Sequence, residues 1–187
     1  MRLVVTEFIT LDGVVEDPGG SEKSPYGGWA FRFKRGAEGD KFKLDEHMAA
    51  DAQLFGRKTY EGFAASWPSR TDDIGFADRI NSLPKYVVSS TLQNADWQNS
   101  TILRRDVVDE IKRLKQQPGR DILVAGSVQL VQTLAQHQLV DEYRLMVFPI
   151  IAGGGKRLFG DGLPSTSLKI VESQQMAEVV TLRLQPA

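Results

Sequence analysis

Three short stretches hold the residue types and spacings that suggest chemistry: Gly56-Arg57-Lys58-Thr59, Ser89-Ser90 and Gly126-Ser127-Val128. In each, an apolar, strand-like run ends in small or polar residues that lead into a turn or a helix, as in "LFGRKTYEGF", "KYVVSS" and "ILVAGSVQLV". A strand-to-helix junction leaves backbone N–H groups unpaired, and the helix dipole there favours negative charge. Two such junctions suit a diphosphate, and an arginine with nearby serines suits a further phosphate. Taken singly, each stretch also has a plain reading: a helix start with a solvated basic pair, a turn, and a helix cap. Their order and spacing together make the case, because ligands of open α/β sheets gather at the carboxyl ends of strands.

The surrounding elements must deliver those ends to one place. The run Leu3–Phe8 reads as a first strand, with turn chemistry following at Asp12-Gly13 and Pro18-Gly19-Gly20. "DKFKLDEHMAADA" reads as a helix with Phe42, Leu44 and Met48 on its apolar face, and "AQLF" as a short buried strand. A helix follows Gly56 until Pro68, a short one spans "GFADRINSL", and "KYVVSS" and "TILRR" are strands. "DVVDEIKRLKQQPG" is the clearest helix: Asp106 is its expected cap, Val107, Ile111 and Leu114 share a face, and Pro118-Gly119 stops it. "DILVAGS" is a buried strand leading to a helix over 127–134. "DEYRLMVFPII", "SLKIVES" and "EVVTLRL" then close the chain as successive strands. Alternating strands and helices followed by strands in succession predict one α/β domain over residues 1–187, with a mixed, mostly parallel sheet flanked by helices.

Composition narrows the function class. With 23 basic and 24 acidic residues the net charge is −1, so no global field recruits nucleic acid or an acidic membrane, and any anion site is local. Cysteine is absent, which excludes disulfides, thiolate nucleophiles and thiolate metal sites and agrees with a reducing compartment. The opening "MRLVVTEFIT" breaks its apolar run at Thr6 and Glu7, so neither a signal peptide nor a membrane span is expected, and cytoplasm is the default. His47 and His137 lie at no metal-ligand spacing and read as surface or capping residues; "GGGKRLF" misses the phosphate-loop spacing because Arg157 follows Lys156.

The set "LFGRKTYE", "YVVSS" and "ILVAGSVQLV", preceded by "TEFITLDGVV" and followed by "DEYRLMVFPIIAGGGKRLF", resembles the dihydrofolate reductase-like family related to the C-terminal reductase domain of bacterial riboflavin biosynthesis. The resemblance runs from about residue 2 to residue 184. It implies NADPH as cofactor: Gly56, Arg57 and Thr59, with Lys58 beside them, at the diphosphate and adenosine phosphate; Ser89 and Ser90 at the 2′-phosphate; and Gly126, Ser127 and Val128 at the second helix start. It also implies that Thr10, Leu11, Asp12 and Gly13 border the nicotinamide, that Pro149 lies on the substrate side, and that two copies pair through late strands such as "DEYRLMVFPII". The chain departs from dihydrofolate reductases proper in lacking an aligned carboxylate early in the first helix and in carrying Gly126-Ser127 where those enzymes have a Gly-Gly pair. That points away from folate toward another small reducible molecule.

A hydride acceptor needs a proton donor in many cases, and Asp12 is the first candidate, with Asp40, Asp45 and Glu46 behind it. Asp12 also fits a plain Asp-Gly turn, and the helix acids fit a solvated surface. Trp29, Phe31 and Phe33 alternate in the glycine-rich stretch 21–39, as an aromatic wall over a planar substrate or as strand packing. The resulting expectation is a reductase passing a hydride from NADPH to a small cyclic or conjugated acceptor. A non-catalytic nucleotide- or pteridine-binding module of the same fold is the alternative.

Overall fold

The computed structural model describes residues 1–187. Its elements follow the chain as β1 (Arg2–Thr10), α1 (Gly36–Ala49), β2 (Ala50–Gly56), α2 (Arg57–Ser66), α3 (Phe76–Ser82), β3 (Lys85–Val88), β4 (Ser100–Leu103), α4 (Val107–Gln116), β5 (Asp121–Val124), α5 (Val128–Gln136), β6 (Glu142–Phe148), β7 (Leu168–Met176) and β8 (Val179–Pro186). One turn of 3-10 helix at Ala30–Arg32 precedes α1. The eight strands form one sheet in the order β4-β3-β2-β5-β1-β6-β8-β7. β4 through β6 run parallel, and β8 and β7 are added antiparallel. This is the α/β, mostly parallel architecture that the alternating pattern predicts.

Parallel strands covered on both faces must be apolar on both faces. β5 obeys fully, with Ile122, Leu123 and Val124 buried. The larger core lies under α4 and α5, where Ile111, Leu114, Leu130, Val131 and Leu134 pack on Leu3, Val5, Leu54, Ile122 and Val124. The opposite face is divided into smaller clusters: Val4 and Leu123 with Ala50 and Leu83, and Phe55 with Tyr60, Ile80 and Trp97. No helix is long and apolar enough to cross a membrane.

Several local expectations need correction. α1 starts at Gly36, and its buried positions include Glu46 and His47 rather than an apolar stripe; Met48 faces solvent. His47 is therefore not a surface residue: it is 6% exposed, its Nδ1 lies 2.8 Å from the Lys43 carbonyl, and its ring meets Phe76 edge-on. Asp106 makes no side-chain cap; it adopts φ +48°, and its carbonyl accepts the Asp109 and Glu110 amides. β6 is enclosed between β1 and β8, so the strand portion of "DEYRLMVFPII" has no free edge for pairing, while Pro149 and Ile151 beyond it are exposed.

Candidate functional site

The site is made by one strand that stops early. β5 pairs with β1 only as far as Val5↔Val124 and with β2 only as far as Leu54↔Val124. β1 continues beside β6 to Thr10, and β2 continues beside β3 to Gly56. A notch opens at the carboxyl end of the sheet, floored by Ala125 and Gly126 and walled by the end of β1 on one side and the β2–α2 junction on the other.

Two helices begin at this notch with no side-chain cap, α2 after Gly56 and α5 after Ser127, so their first-turn amides have no intrahelical partner. The two junctions interlock. A Cβ on Gly56 would stand 2.2 Å from Ser127 Oγ, and one on Gly126 would stand 2.8 Å from Thr59 Oγ1. Gly126 has φ +67°, a region open to glycine, and its peptide bond to Ser127 is cis. Gly56, Thr59, Gly126, Ser127 and Val128 are thus brought together, as their spacing suggests. Such a cradle of glycines and free helix-start amides fits a diphosphate.

The remaining cofactor-side candidates are more peripheral. Arg57 is exposed and lies on Glu61 of its own helix at 3.1 Å, and Lys58 points to solvent. Ser89 is buried, and its hydroxyl accepts the Thr91 and Leu92 amides at 3.2 and 2.9 Å, shaping the turn after β3; Ser90 is exposed beside it.

On the far rim, Asp12 ties two loops. Its carboxylate accepts Thr10 Oγ1 at 2.6 Å and the amides of Ala152 and Gly153 at 3.0 and 2.9 Å. The Thr10 hydroxyl and these amides hold it down to about 2, so it is an anion at neutral pH and an unsuitable acid. Leu11 donates its amide to Ile150, and the Arg157 Nε donates to the carbonyl of Asp12, so Gly13 lies in a well-fastened turn. The stretch 21–39 is also fastened: buried Asp17 accepts the Glu22 and Ser24 amides. Trp29 is only 1% exposed and packs against Phe148, which makes it core rather than a wall. Phe31 is 84% exposed, and Pro149 is exposed just past β6.

Glu7 and Lys43 are the residues that sequence reasoning missed. Glu7 leaves β1 just above the last β5 pair and accepts the Gly126 amide at 2.6 Å, bridging the notch. Burial pushes its carboxyl up to about 7; the Gly126 amide and the Lys43 charge oppose the shift, and Glu46 adds to it. On the other face of β1, Lys43 donates to Thr6 Oγ1 at 2.6 Å, and Thr6 donates to the carboxylate of Glu46 at 2.8 Å. Lys43 also ion-pairs with Glu46 and lies 5.1 Å from the centre of the Phe8 ring. The available signal was Thr6-Glu7 itself: two consecutive polar residues in a strand that should be apolar on both faces. Glu46, one of the three helix acids, is the one that turns inward, at 4% exposed; Asp40 and Asp45 stay outside, paired with Arg35 and Lys41.

Two open surface depressions surround Trp97, lined by Tyr60, Pro68 and Asn81 among others; charged groups such as Glu61, Arg70, Asp78 and Asp96 stand at them, and none of the notch residues does.

Residues 2–182 match the model of the RibD C-terminal domain. The chain belongs to that family. Two relatives of similar length are YyaP of Bacillus subtilis (strain 168), 29% identical over 96% of this chain and 91% of that one, and YwjB of the same organism, 26% identical over 97% and 95%. Both are described as uncharacterized proteins. Among solved structures, a putative riboflavin biosynthesis protein from Shewanella sp. PV-4 superposes with a TM-score of 0.78 at 20% identity, covering 100% of this chain and 99% of that one. RibD of Acinetobacter baumannii gives 0.63 at 16% identity, this chain spanning 58% of its length. Dihydrofolate reductase from Enterococcus faecalis, complexed with NADP(H), gives 0.57 at 13% identity over 99% and 96%. The family and its neighbours thus share the reductase fold found here.

Proposed function

We propose that this chain is an NADPH-dependent reductase whose acceptor is a small cyclic or conjugated molecule. One observation carries the proposal: at the notch beside β5, the close approach of Gly56 to Ser127 and of Gly126 to Thr59 brings two helix starts together, and neither has a side-chain cap on its first-turn amides. Bound there, NADPH would supply a hydride. The chain's own part is to bind and orient. The amides of α2 and α5 hold the diphosphate, Arg57 swings from Glu61 to the 2′-phosphate, and Ser90 assists while Ser89 shapes the turn. Thr10, Leu11 and Gly13, fixed by Asp12, form the far wall. On the acceptor side stand Thr6, Phe8 and Lys43. Lys43 is a hydrogen-bond donor, so it favours an acceptor that presents a carbonyl or other electron-rich oxygen.

Titration of the purified protein with NADPH and NADH, followed by tryptophan quenching and by thermal shift, tests the reading. NADPH should bind more tightly, and Arg57→Ala should weaken NADPH about tenfold or more while leaving NADH nearly unchanged, as expected of one charge-assisted contact. No binding of either nucleotide would leave Gly56–Thr59 as ordinary helix-start chemistry and return the chain to the non-catalytic reading.

We also place the expected homodimer at β7 and β8 rather than β6. β7 is an edge strand, paired with β8 on one side only, and Ile170, Val171 and Val180 are exposed on this end of the sheet. Light scattering should give twice the chain mass, and Ile170→Lys should return it to one.

A further inference from the structure

Among the polar groups at the notch, Glu7 has a singular position. It is the one carboxylate whose oxygen contacts the Gly126 turn directly, at 2.6 Å. Through Gly126 it adjoins Thr59, and through the next residue, Ser127, it adjoins Gly56. An acid therefore supports the same turn that we read as an anion seat. Lys43 and Glu46 of α1, across β1 from it, carry opposite charges that are already paired to each other, and Leu145 of neighbouring β6 brings no charge. No cation is committed to Glu7 alone.

A carboxylate next to a bound polyanion is electrostatically unfavourable, and the strain is relieved by protonation. A neutral carboxyl can still accept the Gly126 amide through its carbonyl oxygen. We propose that Glu7 couples cofactor binding to proton uptake: when NADPH occupies the two helix starts, the Glu7 carboxylate takes one proton from solution and keeps its hold on Gly126 as the neutral acid. The inference rests on the reading of the notch as an NADPH site. The proton balance is one solvent proton gained per cofactor bound, with no change of oxidation state. Each reduction consumes one proton with each hydride, so the site loads both reactants in one binding step. That the free carboxyl is poised near neutrality, at about 7, makes the uptake visible at accessible pH.

The test is isothermal titration of the whole protein with NADPH in two buffers of different protonation enthalpy, at pH 7 and pH 8 and constant salt. Linkage predicts uptake of about half a proton at pH 7, approaching one at pH 8, with Kd rising up to about tenfold per pH unit above 7. In Glu7→Gln, whose amide oxygen still accepts from Gly126, NADPH should bind with uptake near zero at pH 8 and a flat Kd. Should that variant fold poorly, the wild-type protein with 13C-labelled glutamate answers the question: a carboxyl resonance titrating near 7 should move up by about two units or more when NADPH saturates. Tight NADPH binding without proton uptake at pH 8, uptake retained in Glu7→Gln, or a neutral-range carboxyl whose titration ignores NADPH would overturn the inference while leaving the cofactor site standing. Absence of NADPH binding would bring down the functional reading, and this inference with it.

Discussion

The two ends of β1 hold buried carboxylates in opposite states. At the start of the strand, Glu142 accepts from Arg144 at 2.6 Å, Gln185 at 3.0 Å and Arg183 at 3.2 Å, and Asp121 accepts from Arg2 at 2.9 Å and Arg144 at 2.9 Å. Burial alone would raise Glu142, but those donors outweigh it and pull the group down to about 2. At the other end, Glu7 receives one backbone amide and rises to about 7. The same side-chain type is made a fixed charge by several donors and a titrating group by one. The donor-rich end lies where the parallel strands begin, away from the notch; the donor-poor end lies where they part, at the site proposed for the cofactor.

Removing a partner from the donor-rich end should produce the largest effect. Arg144→Ala leaves Glu142 and Asp121 buried with fewer donors, and should lower unfolding free energy by about 3–5 kcal/mol. Urea denaturation at pH 7 measures it; a loss under 1 kcal/mol would show the network to be solvated and the contrast false.

At the donor-poor end the sign reverses. Glu7 has a folded value raised from 4.5 to about 7, so the stability linked to it is full below the unfolded value and is lost as pH rises through about 7. Glu7→Gln should therefore stabilise the apo protein at pH 8, on the order of 2 kcal/mol after discounting for partial exposure, and change little at pH 4. For Glu142 the lowered value means stability that is present above the unfolded value and is lost as pH falls through about 2. Thermal melts of Glu7→Gln at pH 4, 6 and 8 distinguish the cases; a variant that is destabilised most at pH 8 would make Glu7 a second fixed charge.

A smaller effect is expected at Asp12, which resembles Glu142 in being held ionised, although it lies on the rim. Asp12→Ala removes the acceptor for the Ala152 and Gly153 amides and should cost about 1–2 kcal/mol, equally at pH 6 and pH 8. A pH-dependent cost across that range would return Asp12 to the list of candidate acids. Smallest of all, Arg57→Ala should alter stability by less than about 0.5 kcal/mol, because its pair with Glu61 is exposed. Its consequence belongs to NADPH binding alone.

How far the sequence disclosed this arrangement depended on whether local chemistry or distant contact decides a residue's role. α4 was legible in all but its Asp106 cap because Ile111 and Leu114 are buried at the positions its periodicity marks, and Gly56 and Gly126 were legible because few other residues suit such junctions. α1 was misread because its inward face is polar: Glu46 is buried against Thr6 of β1, a partner 40 residues away. The same distance concealed Glu7, whose environment is set by Gly126 across the notch. Trp29 failed in the other direction, since an aromatic in a glycine-rich loop does not announce that Phe148 will receive it.

The interlocking of Gly56 with Ser127 carries a consequence for how such a chain can diversify. With 2.2 Å between an added Cβ and the serine hydroxyl, side-chain volume at the two positions is a shared quantity. An alanine at 56 becomes tolerable only when Ser127 shrinks to glycine, because the added carbon would also stand 2.9 Å from the serine Cβ. The two residues should therefore be inherited as a pair, although 71 positions separate them in the chain.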